Sequence, residues 1–175
     1  RALYAPQHGF FAEKQDNMVE SADMRDPVLN IPIFSLYGAT RIPTASMMEP
    51  IDTLLIDLQD VGTRVYTFIY TMSYCLEAAR QWNAHVIYLS TSRVYPVDAL
   101  NRLKLREEER RFRLEDEQPF PGASAQGIAE DFPLDGPRSM YGATKLCSEL
   151  VVQEYCAMYG LRAVVNRCGL VAGPG

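Results

Sequence analysis

Tyr141 and Lys145 stand four residues apart in "RSMYGATKLCSEL", residues 138–150. On a helix that spacing puts both side chains on one face, one turn apart. A phenol that trades a proton with an alcohol near neutral pH must ionise about 3 units below its usual ~10, a shift of about 4 kcal/mol. A lysine ammonium one turn away favours the phenolate and supplies part of that shift. The chemistry such a pair serves is carbonyl–alcohol oxidoreduction, with a hydride moving to or from a nicotinamide ring. A hydroxyl must also hold the substrate oxygen. "LSTSRVY" offers Thr91 for this, at the carboxyl end of an expected parallel strand, where open α/β sheets place their ligands.

The elements that must position these groups are readable. "IDTLLIDLQDVG" is a nearly continuous apolar run ending in a turn, as a buried parallel strand would be. "TFIYTMSYCLEAARQWN" follows with the length and residue types of a buried helix, and "HVIYLSTSRVY" is a second buried strand. Strand, helix and strand in that order form a βαβ unit with a right-handed crossover. Ser139 is placed to cap a helix from about Met140 to Tyr159, and Gly160 to stop it. "LRAVVNRC" is the last strand, and "RALYA" and "NIPIFSLYG" are short ones near the start. Residues 98–118 are dense in charge of both signs. Glu107 with Arg111 and Glu109 with Arg113 stand at helical ion-pair spacing, so a solvated surface helix or arm is expected there.

At "STSRVY", "YGATK" and "NRCGLVAGPG" the second half, roughly residues 84–175, strongly resembles the extended short-chain dehydrogenase/reductases. The branch it is most similar to is the NAD-dependent sugar-nucleotide epimerases and dehydratases, of the paratose/tyvelose 2-epimerase type. The resemblance implies Thr91, Tyr141 and Lys145 as the catalytic residues and Lys145 as a ligand of the nicotinamide ribose. It also implies NAD as cofactor and a nucleotide sugar as substrate. Arg167, Gly173 and Pro174 match the family's "R-x-x-N-V-Y-G-P" run, while Leu170 and Ala172 replace its Asn and Tyr. That family opens on a G-x-x-G-x-x-G turn that cradles the pyrophosphate, and the eleven glycines here do not build one. Gly9, Gly38 and Gly62 are isolated, so the second half is expected to be inactive alone. Gln59 and Gly62, in the turn after "LLIDLQD", are the residues that would bind cofactor in its place.

"LYAPQHGFFAEKQDN", "IPIFSLYGATRIPT" and "LLIDLQDVGTRVYTFIYTMSYCLEAA", within residues 2–80, closely resemble a different family, the exo-β-N-acetylmuramidases of cell-wall recycling. Glycoside cleavage needs an acid on the leaving oxygen and usually a second carboxylate. That family's "P-E-H-G" appears as Pro6-Gln7-His8-Gly9, and an amide at Gln7 cannot donate a proton as Glu would. His8, Glu13, Asp60 and Arg64 are the polar residues an alternative glycosidase site would use, with a muramyl sugar as substrate.

The expected fold is therefore α/β and Rossmann-like. It has a mostly parallel sheet with flanking helices, built from two half-domains at 1–83 and 84–175 that share one continuous sheet and look truncated at both ends. With 175 residues the chain can bury a real core. A formal charge of -5 argues against nucleic acid and anionic membrane, both of which reward clustered Lys and Arg. No apolar run approaches the ~20 residues that span a bilayer. The four cysteines, Cys75, Cys147, Cys156 and Cys168, form no C-x-x-C pair, so no metal site and a reducing, cytoplasmic compartment are expected. By resemblance, helix 140–159 would form a homodimer contact.

Overall fold

A computed structural model of the chain describes every residue except 15, 17, 64, 65 and 170–175. In chain order its elements are β1 (Leu3–Ala5), β2 (Met24–Arg25), β3 (Pro32–Ser35), α1 (Ala45–Met48), β4 (Thr53–Ile56), α2 (Phe68–Gln81) and β5 (His85–Thr91). They continue with α3 (Val97–Asn101), β6 (Leu105–Glu108), β7 (Arg111–Leu114), β8 (Ala123–Ser124), β9 (Gly127–Ile128), α4 (Met140–Tyr159) and β10 (Ala163–Cys168).

The central sheet has the order β10-β5-β4, and every pairing in it is parallel. Its strands come from both expected halves: β4 precedes the junction, β5 and β10 follow it. The crossovers β4–α2–β5 and β5–α4–β10 step across the sheet in one direction. Right-handed connections then put both helices on one face, where α2 packs against α4. The register sets Leu54 beside Val86 and Ile56 beside Tyr88, and these buried side chains meet Met72, Cys75, Leu76 and Ala79 of α2 and Val152 of α4 in one core. The other face carries the row Leu55–Ile87–Val164, of which Leu55 and Val164 are exposed. The fold is α/β and Rossmann-like, as expected.

Among the described residues the strands do not join into one continuous sheet. β1, β3 and β2 make a separate sheet, with β1 and β3 parallel and β2 antiparallel at the edge. The amino terminus donates to the Pro50 carbonyl ahead of β4 (3.3 Å) and residues of β1 and β4 line one cleft, but among the described residues no ladder joins the two strands.

α4 begins and ends where its sequence places it. The Ser139 hydroxyl accepts from the Gly142 N–H (3.0 Å), and Gly160 closes the helix in the left-handed conformation at φ 69°. Of the expected surface helix or arm, the charged stretch is helical only at its start, in α3, and continues as an exposed arm. Residues 105–114 form the antiparallel hairpin β6–β7, and the helical pairings of Glu107 with Arg111 and Glu109 with Arg113 give way to Glu108 gathering Arg106, Arg111 and Arg113.

Candidate functional site

The side chain of Lys145 is buried, 2% exposed, and its Nζ donates to the Leu89 carbonyl of β5 at 2.6 Å. The ammonium lies 5.1 Å from the Tyr88 ring centre and 6.0 Å from that of Tyr141. Burial pushes its pKa below the ordinary lysine range, against the opposing pull of Asp57, Cys168, Asp60 and Glu149. Tyr141 and Lys145 are thus brought together beneath the end of β5, with the cation committed to a backbone oxygen. Thr91 is the last residue of β5, and its hydroxyl oxygen accepts the Arg93 N–H (3.3 Å) at the start of a 3-10 turn, Ser92–Val94. α4 packs on that turn so closely that a Cβ at Gly142 would run into the Arg93 carbonyl.

The turn after β4 is docked on the same helix. The Asp60 carboxylate accepts the Gly62 N–H (2.8 Å), and the Asp60 carbonyl accepts the Thr144 hydroxyl (2.8 Å). Gly62 has φ 75°, and a Cβ there would come within 2.8 Å of the Thr144 methyl. Asp60 and Gly62 therefore hold the turn in place, while Gln59 faces the cleft.

That cleft, about 1330 Å³, is lined by residues along β1 and β4 and by the turns that follow both strands. His8 and Gln59 line it from the first half of the chain and Tyr141 from the second. His8 has φ 78°, an uncommon conformation outside glycine. It is held there by a reciprocal pair with Lys14, whose N–H donates to the His8 carbonyl (3.1 Å) while its own carbonyl lies 2.8 Å from His8 Nδ1. The ring sits 5.1 Å from Tyr66 and 6.5 Å from Phe68, centre to centre. Its Nε2 is buried with no hydrogen-bond partner among the described residues. Gln7 is buried behind it, its amide oxygen accepting both the N–H and the hydroxyl of Thr67 at 3.0 Å. The Glu13 carboxylate accepts the Phe11 N–H (3.1 Å) and packs on Gly9. Arg64 lies outside the described residues, as do Leu170, Ala172, Gly173 and Pro174.

One group of polar residues was not anticipated. Glu149 is fully buried and takes the Ser90 hydroxyl and two nitrogens of Arg167, at 2.8 and 3.1 Å to the same oxygen. The carboxylate raises the Arg167 pKa, and the guanidinium lies 5.4 Å from the Tyr95 ring centre. The spacing Tyr141, Lys145, Glu149 was the available signal, since it lines three polar groups along one helix face at steps of four. This cluster ties α4 to β5 and β10. Among the described residues no group of three or more His, Cys, Asp or Glu is placed to hold a metal.

The turn after β1 does not have the make-up of a phosphate cradle for NAD. A cradle needs backbone N–H groups at a helix N-terminus. The element that follows β1 is the strand β2, and the Glu13 carboxylate already lies against the Gly9 backbone. A second anion there meets like charge.

Comparison with known proteins finds two families. Residues 1–100 match the family model described as exo-beta-N-acetylmuramidase NamZ, N-terminal, and residues 65–175 that of the NAD dependent epimerase/dehydratase family. The chain is 45% identical over 80 residues to the peptidoglycan beta-N-acetylmuramidase NamZ of Bacillus subtilis (strain 168), covering 46% of this chain and 19% of that protein. A DUF1343 family protein from Bacteroides fragilis NCTC 9343 superimposes with a TM-score of 0.52 at 26% identity, over 94% of this chain and 36% of that one. UDP-glucuronic acid 4-epimerase from Bacillus cereus, solved with UDP-glucuronic acid and NAD, gives a TM-score of 0.47 at 17% identity, over 95% and 56%. The chain thus spans about a fifth of the curated relative and about a third of the Bacteroides protein.

Proposed function

Because the chain belongs to both the exo-β-N-acetylmuramidase NamZ N-terminal family and the NAD-dependent epimerase/dehydratase family, we propose that it is a hybrid Rossmann-like module. It keeps the epimerase acid–base residues without performing NAD-dependent turnover by itself. The observation that carries this reading is a mismatch at the strand ends. Tyr141 opens on the cleft above a buried Lys145, whereas the turn after β1 sets the Glu13 carboxylate on Gly9 and leads into no helix. Transition-state stabilisation needs the reacting ring held to fractions of an ångström, and an unanchored dinucleotide is not so held.

In this proposal Tyr141 retains the capacity to exchange a proton with a ligand hydroxyl. Lys145 keeps positive charge near the phenol while fixing α4 to β5 through Leu89. Thr91, committed to the Arg93 N–H, contributes a hydroxyl at the end of β5. The substrate class by descent is a sugar nucleotide and the compartment the cytoplasm. Leu150 and Met158, exposed on α4, make that helix the proposed homodimer contact. No helix among the described residues is long and apolar enough to cross a membrane.

Incubating the purified chain with NAD and UDP-glucuronic acid, and following epimer formation by chromatography, tests the proposal. No product above the protein-free control is expected. Product that disappears in Tyr141→Phe would overturn it.

A muramidase-type reading rests on one observation, the placement of His8 in the cleft with Nε2 unpartnered among the described residues. Gln7 binds Thr67 through an amide, so the position next to His8 lacks a proton donor of the carboxylic type. Release of N-acetylmuramic acid from a muramyl glycoside by this chain would establish that reading, and the absence of release would remove it.

A further inference from the structure

We infer that a second, smaller pocket beside the start of α2 binds a small aromatic carboxylate, with Arg41 taking the carboxylate and tyrosine side chains flanking the ligand's ring. The pocket, about 190 Å³, shares only Leu36 and Thr71 with the lining of the larger cleft. The inference is independent of what that cleft holds.

The first argument is the placement of Arg41. Its guanidinium lies over the Tyr37 ring, 3.9 Å from the ring centre. A guanidinium stacked in this way keeps its N–H donors at its edge, in the fork that fits a carboxylate through two parallel bonds. None of the ion pairs among the described residues uses Arg41. The turn that carries it is closed by Thr40, whose hydroxyl accepts the Ile42 N–H (3.1 Å) and donates to the Ile42 carbonyl (2.8 Å).

The second argument is the Tyr37 hydroxyl. Tyr37 is 2% exposed, and its backbone is pinned: its N–H donates to the Ser35 hydroxyl oxygen (3.1 Å) and its carbonyl accepts the Ser21 N–H (3.0 Å). The phenol hydroxyl itself makes no hydrogen bond among the described residues. The one sealed-in orphan there is His8 Nε2, so the Tyr37 hydroxyl, on a residue that lines the pocket, is one that solvent or a ligand reaches.

The third argument is shape and charge. Tyr70 and Tyr74 line the pocket from α2, one turn apart on one helix face, and buried Leu36 lies opposite in sequence character, wholly apolar. Aromatic and apolar walls with a few placed polar groups are the ordinary make-up of a small-molecule site. About 190 Å³ has room for one aromatic ring and its carboxylate. Among the described residues no Asp or Glu lines the pocket, and positions 15, 17, 64, 65 and 170–175 contain neither residue type. The positive end of the 14-residue α2 adds to a field that favours an anion.

The experiment is a titration of the intact chain with benzoate at constant ionic strength, followed by saturation-transfer NMR. Benzamide serves as the neutral isostere and inorganic phosphate as competitor. Benzoate is expected to bind saturably, and benzamide about tenfold more weakly, because hydrogen bonds to an ionised acceptor are roughly twice as strong as neutral ones. Arg41 is exposed, so Arg41→Gln is expected to leave melting unchanged while weakening benzoate about tenfold. Arg41→Lys, which keeps the charge without the planar fork, is expected to lose affinity as well. Absence of saturable benzoate binding overturns the inference, as does equal binding of benzamide or undiminished benzoate binding in Arg41→Gln. Displacement of benzoate by an equal concentration of phosphate would overturn the aromatic carboxylate in favour of any small oxyanion.

Discussion

Gln7 shows how a single residue can settle what its neighbourhood does. Its amide oxygen closes the turn after β1 onto the start of α2 through the N–H and hydroxyl of Thr67. Gln7→Ala strips an acceptor from both and is expected to cost about 1–3 kcal/mol in urea unfolding. A change within ~0.5 kcal/mol would show that the turn is held by other groups. Burial sets a second residue-level expectation. It pushes the Cys75 thiol from its ordinary 9.0 up to about 12, and Tyr4 and Tyr88 from 10.0 to about 12. The folded chain then keeps protons that the unfolded chain releases, so this stability is complete below pH 9 and is lost as pH rises toward 12. Unfolding free energies measured from pH 8 to 11 should fall, and fall less steeply in Cys75→Ala. A flat profile would contradict the burial of these groups. At this scale the pair Tyr141–Lys145 was legible, because helical spacing is a local property. That His8 would share a cleft with Tyr141 was not, because 133 positions separate them and only the tertiary fold brings them together.

Among the elements, those with an apolar face or a cap were legible and those without were not. β4 and β5 announce themselves as continuous apolar runs, and α4 by Ser139 and Gly160 at its ends. The hairpin β6–β7 has neither. Its strands are largely exposed, so no buried face imposes a period of two, and interspersed charges read equally well as helical pairs. What decides it is cross-strand pairing, with Leu105 opposite Leu114 and Glu108 opposite Arg111. The seam between α4 and the turn after β5 gives a test with an unusual sign. In a free helix Gly→Ala gains about 1 kcal/mol. At Gly142 the added methyl would strike the Arg93 carbonyl, and overpacking costs about 1–3 kcal/mol. Gly142→Ala is therefore expected to lower the melting temperature, and a rise would mean that the seam is looser than described.

For the whole molecule, the question is whether segments of two families make one body. The central sheet takes β4 from before the expected junction and β5 and β10 from after it. The main core unites Leu36, Met48 and Leu54 with Val86, Val152 and Leu161. The pair of buried Glu149 and half-buried Arg167 then fixes α4 to β10, and removing the arginine leaves a buried carboxylate unpaired, which costs up to about 3–5 kcal/mol. Against this, residues of β1 and β4 share a cleft, and among the described residues no ladder joins the two sheets. A shared core predicts a single cooperative transition. The most direct measurement is urea unfolding followed at once by fluorescence of Trp82, the one tryptophan, and by far-ultraviolet ellipticity. Coincident midpoints and slopes are the predicted result. Two separated transitions, with part of the ellipticity lost while the Trp82 signal stays native, would contradict a single hybrid body and the cleft its two segments share.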